Sequence, residues 1–274
     1  MSVLIDTLSA QAQPQRLPDA DPAGSFVDGL IRRSLSHRAV HHPYLKALGE
    51  GAVPDLRWAL ADFARQYLPY SQSFPRYLTA VISRLDDPEH RSGLIENLTE
   101  ESGIYEQEEI DELAAIGVRP EWIVGVPHPA LFARFGEAMG VSEPSTEHEP
   151  ICWRDLFLAV LVNGSPAEAV GALGLGTETI VSTMYKPFVA AIAQLGDIDG
   201  ADAVFFPLHT AVDDHHQETL REIAVDHART PEGRRGLQHG MLKALQLRCA
   251  FWDWMYERAM DPQNAEFGGS QWIA

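Results

Sequence analysis

His209, Asp213 and His216 fall within one short run, at steps of four and then three residues. On a helix turning about 100° per residue, their side chains share a sector of about 60°. Two imidazoles and a carboxylate on one stripe are a ligand set for a transition metal. A solvated helical face has no physical need for that grouping, although 11 histidines in 274 residues make a chance cluster the competing explanation. His215 and Asp214 belong to the same run but project away from the stripe.

A metal pair inside a helical bundle needs further carboxylates and histidines facing inward from other helices. Glu178 is one candidate. It stands in the apolar stretch Leu173-Gly-Leu-Gly-Thr-Glu178-Thr-Ile-Val, and the preceding acid is Glu168. A lone buried carboxylate is costly unless it is paired or bound to metal; a partly exposed Glu beside small residues is the alternative. Glu101 follows Leu94 and Leu98 at steps of four and three, which places it, rather than Glu100, on the inward face. Solvated acids near helix ends are equally common. His128 precedes Leu131, Phe132, Phe135 and Met139 on an amphipathic segment, where it could also cap the helix or lie at the surface.

The elements that must position these residues read as helix after helix. The apolar spacing predicts helices from Ser25 to about Ser36, and from about Pro54 to Leu85 with a bend at Ser73-Phe-Pro75. Asp87-Pro88 opens another that ends near Gly103. Further stretches are expected at about 106–115, 129–140, 151–163, 166–195, 201–228 and 232–259. Alternating β-branched runs are missing, and the one Asn-Gly, at 163–164, joins two helical stretches. An all-α bundle of about seven core helices is the expected fold. Residues 1–24, rich in Gln, Pro, Asp and Ala, read as a mobile leader, 25–260 as a single helical domain and 261–274 as a tail.

Composition narrows the chemistry. There are 39 Asp and Glu against 21 Lys and Arg, a net charge of −18, so nucleic acid and anionic membrane are disfavoured as partners. Cys152 and Cys249 are the only cysteines and form no CxxC, which excludes a disulfide framework and argues against thiolate ligation. No stretch resembles a signal peptide or a membrane span, so a cytoplasmic protein is expected. The expected partners are a small-molecule substrate and a second copy of the chain in a homodimer.

Several segments resemble the heme-oxygenase-like diiron oxidases and oxygenases, iron-containing redox enzymes related in fold to the thiaminase-type and pyrroloquinoline-quinone-synthase proteins. Phe74-Pro-Arg-Tyr-Leu78 with Ser83-Arg-Leu-Asp-Asp87 is similar to that family's second long helix and its exit. Glu96-Asn-Leu-Thr-Glu-Glu101-Ser-Gly103 resembles the segment ending in the first carboxylate ligand, and His128-Pro-Ala-Leu-Phe-Ala-Arg-Phe the segment opening with the first histidine ligand. His209, Asp213 and His216 match the family's H-x3-D-x2-H, and Glu178 falls where a bridging carboxylate precedes it. The resemblance covers roughly residues 30 to 258. It implies two ferrous ions held by Glu101, His128, Glu178, His209, Asp213 and His216, with dioxygen as co-substrate.

One departure stands out. The segment Ile104–Pro127, acidic and partly helical, separates Glu101 from His128. Should it displace His128, Glu108 or Glu109 would be the substitute. The resemblance further implies oxidation of an amino acid or of a fatty acid, an amino-acid-derived carboxylate being the preferred expectation. A subgroup that consumes its own Tyr and Lys has Leu45 and about Phe188 at those positions here, with Tyr44 and Lys186 out of register, so self-sacrifice is not expected. A metal-free, thiaminase-like branch and a non-enzymatic interaction protein are the other classes. A carboxylate substrate needs a cationic partner, yet no pattern singles out one arginine among Arg65, Arg76 and the rest. Trp58, Tyr67, Tyr70 and Phe74 are candidates to line a pocket.

Overall fold

The structure, a computed structural model, describes residues 21–211, 214–261 and 263, so most of the expected leader and tail lies outside it. Every element among the described residues is helical. The chain begins with α1 (Pro22–Leu35), α2 (Pro43–Gly49), α3 (Leu56–Gln72), α4 (Phe74–Ile82) and α5 (Pro88–Glu101). The Ile104–Pro127 segment contains α6 (Gln107–Ala115) and α7 (Pro120–Ile123). Then come α8 (His128–Ala138), α9 (His148–Asn163) and α10 (Pro166–Val170). A π-helical turn, Gly171–Glu178, leads into α11 (Thr179–Leu195). The chain continues as α12 (Gly200–Ala203), α13 (Phe205–Ala211), α14 (Asp214–His227) and α15 (Pro231–Met260). No described helix is long and apolar enough to cross a membrane.

Local chemistry explains most boundaries. The Asp87 carboxylate accepts from the Glu89 backbone N–H with Pro88 in the first turn, so the helix starts where its orphan donors are met. The expected bend at Ser73 is a break between α3 and α4: Pro75 has no N–H to give to the α3 carbonyls. Pro69 interrupts the ladder inside α3 as well, and the Arg65 carbonyl there takes its hydrogen bond from the Ser145 N–H, at 3.1 Å.

Two expected single helices are divided. The 166–195 stretch becomes α10, the π-helical turn and α11. The wide π turn needs extra donors, and it receives them: Thr177 Oγ1 donates to the Ala172 carbonyl at 3.1 Å and Ser34 Oγ to the Leu175 carbonyl at 2.5 Å. The 201–228 stretch breaks at Val204, because Pro207 cannot donate to the Ala203 carbonyl four residues back. It resumes as α13 and α14, on either side of residues 212 and 213, which lie outside the described residues.

The core is centred on aromatic rings from α3, α8, α9, α11, α13 and α15. Phe63 lies 4.2 Å from Phe188, Tyr70 stacks on Trp153 at 4.0 Å, and Tyr67 stacks on Trp252 at 6.4 Å. The longest helix, α15, runs against α10 and the π turn at backbone contact. A Cβ on Gly171 would sit 2.2 Å from the Leu237 carbonyl oxygen, and one on Gly240 would sit 1.9 Å from that of Glu168. Gly171→Ala or Gly240→Ala should therefore force this contact apart and lower stability by about 1–3 kcal/mol, read from urea unfolding followed by circular dichroism.

A second expectation concerns pH. His42 is fully buried; its Nδ1 accepts from the Tyr44 N–H and its Nε2 faces Asp253 at 3.1 Å. Burial and then nearby Arg38 lower its pKa below 6.5, against the opposing pull of Asp253. His227 is lowered in the same direction, first by burial and then by His90. The unfolded chain therefore binds protons that the folded chain refuses. Stability should be full above pH 6.5 and decline as pH falls below it, measured as the urea midpoint between pH 8 and pH 5.5.

Candidate metal centre

Glu101 ends α5, His128 opens α8, and His209 lies in α13. Their ligand atoms all lie within 4.8 Å of one another. His128 Nδ1 is 3.1 Å from Glu101 Oε1, and the His128 and His209 rings are 4.9 Å apart, edge to face. Glu101 and His128 are each 5% exposed, too buried for an ordinary surface acid and a surface histidine. The same cavity is lined by Glu178, at the end of the π turn, and by Tyr67, Tyr70, Ser71, Phe74, Thr177, Val181 and Tyr185. Of the expected pocket aromatics, Tyr67, Tyr70 and Phe74 are there and Trp58 is not.

The Ile104–Pro127 insertion does not displace His128. It is closed at its neck, where the Gly125 N–H donates to the Gly103 carbonyl at 2.8 Å. Gly103 has φ +84°, and a Cβ there would meet Val126 backbone atoms at 2.6 Å. Only glycine tolerates both demands, so the chain leaves at Glu101 and returns at His128 with the two side chains adjacent. Glu108 and Glu109 are not substitutes. Glu108 is exposed, and the Glu109 carboxylate accepts from the Glu106 N–H in a capping box. Glu100 proves to be buried as well, at 8%, where only one inward acid was expected; it lies near Tyr105, and α5 packs against α4 and α14.

Sequence reasoning missed Tyr105. Its hydroxyl lies 2.7 Å from His128 Nε2, which leaves His128 Nδ1, buried, without a hydrogen bond and 3.1 Å from Glu101 Oε1, as the nitrogen turned toward the cluster. Burial, then the neighbouring Glu101, Glu100 and Glu109, push the Tyr105 phenol far above its ordinary pKa. It stays a neutral group that can give or take a proton in a hydrogen bond. The one hint in the sequence is an aromatic residue set among acids four positions after Glu101.

His209 is fixed differently. Its Nδ1 lies 2.6 Å from the Phe205 carbonyl, which can only accept, so the proton is on Nδ1 and Nε2 keeps its lone pair. A buried carboxylate, an imidazole whose tautomer is set by a carbonyl and a second imidazole steered by a phenol suit a first-row transition metal. These residues fit an iron ion on their donor chemistry alone. Asp213 lies outside the described residues, as does the side chain of His216, which belongs to α14.

The profile of a family of iron-containing redox enzymes matches residues 61–249, and the chain belongs to that family. A 4-aminobenzoate synthase from Chlamydia muridarum is 25% identical over 197 residues, covering 70% of this chain and 74% of the relative. A 4-chloro-allylglycine synthase from Streptantibioticus cattleyicolor is 24% identical over 248 residues, 89% of this chain and 88% of that one. Among solved structures, a CADD-like protein of unknown function from Nostoc punctiforme superposes with a TM-score of 0.67 at 16% identity, over 87% of this chain and 99% of the other. A domain with a heme oxygenase-like fold from Shewanella denitrificans gives 0.57 at 17% identity, over 90% and 94%. The fold is thus the heme-oxygenase-like helical bundle.

If Tyr105 orients His128, Tyr105→Phe should weaken ferrous binding by about 10–100-fold while leaving the unfolding midpoint nearly unchanged. Competition with a colorimetric iron chelator under argon gives the affinity.

Proposed function

We propose that this chain is a dioxygen-dependent oxidoreductase whose centre is a pair of non-heme irons held by Glu101, His128, Glu178, His209, Asp213 and His216. Its substrate is an amino acid or an amino-acid-derived carboxylate. The observation that carries the reading is the Glu101–His128–His209 cluster, its first two members buried and the third half-buried, with Glu178 lining the same cavity. The two synthases named above point in the same direction, since both names describe amino-acid-like or aromatic carboxylate products.

Iron bound there supplies the redox chemistry and dioxygen activation that side chains lack. The protein's own groups do the rest. Tyr105 holds the plane of His128, and the Phe205 carbonyl fixes the tautomer of His209. Phe74, Val181 and Phe205 keep part of the cavity wall dry, which limits side reactions with water. The Tyr67 and Tyr185 hydroxyls, 2.8 Å apart, supply a proton to the cavity without carrying charge. Self-consumption is not favoured: Leu45 and Phe188 are buried and apolar, Tyr44 stacks on Trp252 at 5.5 Å, and Lys186 is exposed.

Ferrous titration under argon should saturate at about two equivalents. His209→Ala and Asp213→Ala should each lower that stoichiometry, and His215→Ala should leave it intact. Saturation at zero in the wild type would remove the metal reading. With iron loaded, dioxygen uptake should accelerate with one member of a panel of amino acids and fatty acids of graded length. Acceleration by fatty acids alone would overturn the amino-acid preference.

A further inference from the structure

Arg248 lies in the middle of α15 and is 2% exposed; no other lysine or arginine among the described residues is as deeply buried. A guanidinium does not lose its proton in a protein, so a full positive charge sits in the core. Its Nη2 donates to Tyr70 Oη at 3.1 Å and its Nη1 lies 3.4 Å from Met184 Sδ. It packs over the rings of Tyr70 and Trp153, at 5.3 Å and 5.2 Å from their centroids. Its Nε has no hydrogen-bond partner, and no carboxylate among the described residues forms an ion pair with it. Arg258, ten residues further along the same helix, shows the usual arrangement: it grips Asp62 through two hydrogen bonds of 2.8 Å and 2.7 Å. An uncompensated buried charge is expensive, and the fold provides a ready anion for Arg258 but not for Arg248.

The cavity begins where Arg248 ends. Tyr70 lines it beside Tyr67 and Tyr185, and Glu101, His128, Glu178 and His209 line it too. Because Arg248 can only donate, it occupies a lone pair of Tyr70 Oη and leaves the phenolic proton for an acceptor on the cavity side, where Thr177 is its present neighbour. Burial pushes the Tyr70 and Tyr185 phenols well above their ordinary pKa, so both remain neutral donors.

We propose that Tyr70, flanked by Tyr67 and Tyr185 and backed by Arg248, anchors the carboxylate of the substrate. The Tyr70 hydroxyl donates to a carboxylate oxygen, and Arg248, a positioning residue one layer behind, balances its charge. This rests on the reading of the cavity as a substrate site, and it defines the substrate class as a small organic acid. It also sets the orientation, with the acid group at the tyrosines and the carbon skeleton extending toward Glu101, His128 and His209.

The test measures binding without turnover. Norleucine and norleucinamide, which differ in the acid group, are titrated calorimetrically into the full-length protein under argon, once loaded with ferrous iron and once metal-free. The wild type should prefer norleucine by about tenfold or more. In Tyr70→Phe and Arg248→Met that preference should fall to near one, with iron stoichiometry unchanged. Tyr70→Phe keeps the ring that packs on Arg248 and Trp153, so it reads the anchor even if Arg248→Met fails to fold. A purely structural Arg248 would lower stability and leave the preference intact. An unchanged preference in Tyr70→Phe, or no preference in the wild type, overturns the proposal. A wild type that takes no iron yet discriminates the two probes would sink the metal reading and keep the anchor.

Discussion

The arrangement depends on one close contact, where α15 meets α10 and the π turn with little but backbone between them. Gly171, Gly176 and Gly240 are what allow it; a Cβ on Gly176 would lie 2.7 Å from that of Ala244. Side chains of ordinary size would hold these helices at the usual separation of about 8–10 Å. Brought together, they fix both ends of the cavity at once. The π turn ends at Glu178, and α15 carries Arg248. The π geometry matters too, because a wider turn rotates all following side chains relative to a regular helix. Glu178 reaches the cavity at the point where that rotation is complete.

Polar groups are rare in this core, and their placement follows from what burial costs. Aromatic side chains fill the volume, and several of the buried polar residues, among them Glu101, His128, Thr177 and Glu178, line one cavity. Three of these polar groups have an identifiable restraint: a carbonyl for His209, a phenol for His128, a hydroxyl for Arg248. Such restraints remove rotamer freedom before a ligand arrives, so less ordering remains to be done on binding. The same economy explains why Tyr67, Tyr70 and Tyr185 stand here rather than phenylalanines, since each brings a ring to the core and a proton to the cavity.

Much of this was legible in the sequence because it rests on local periodicity. The all-helical fold, the start of α5 at Asp87-Pro88 and the break at Ser73 follow from spacing, caps and prolines. Glu101 emerged from its step pattern with Leu94 and Leu98, and Glu178 from its isolation among apolar residues. What was not legible depends on contacts between distant segments. A π turn has no compositional signature beyond its glycines, so 166–195 reads as one helix. Tyr105 acquires meaning only once the insertion folds back on His128. Arg248 looks like any arginine on an amphipathic helix until the absence of a facing acid is seen in three dimensions. The break at Val204 was within reach, since Pro207 announces it; the apolar periodicity across it was the stronger signal and prevailed.

The insertion has a further bearing on how the molecule comes apart. Its neck is tied between Gly103 and Gly125, Tyr105 reaches His128, and the Trp122 carbonyl takes a hydrogen bond from Arg134 of α8. The Trp122 ring lies against Gly200, at the start of the short helix that leads to α13 and His209. One segment thus braces the ends of α5 and α8, which deliver Glu101 and His128, and of α12, which precedes the α13 that carries His209. With these ties in place, opening the insertion would remove the support of the cluster, which makes the two a single cooperative unit in the sense of hydrogen exchange. Amides flanking the cluster would then exchange together with those of α6 and α7, and loss of the site would precede, rather than follow, global unfolding.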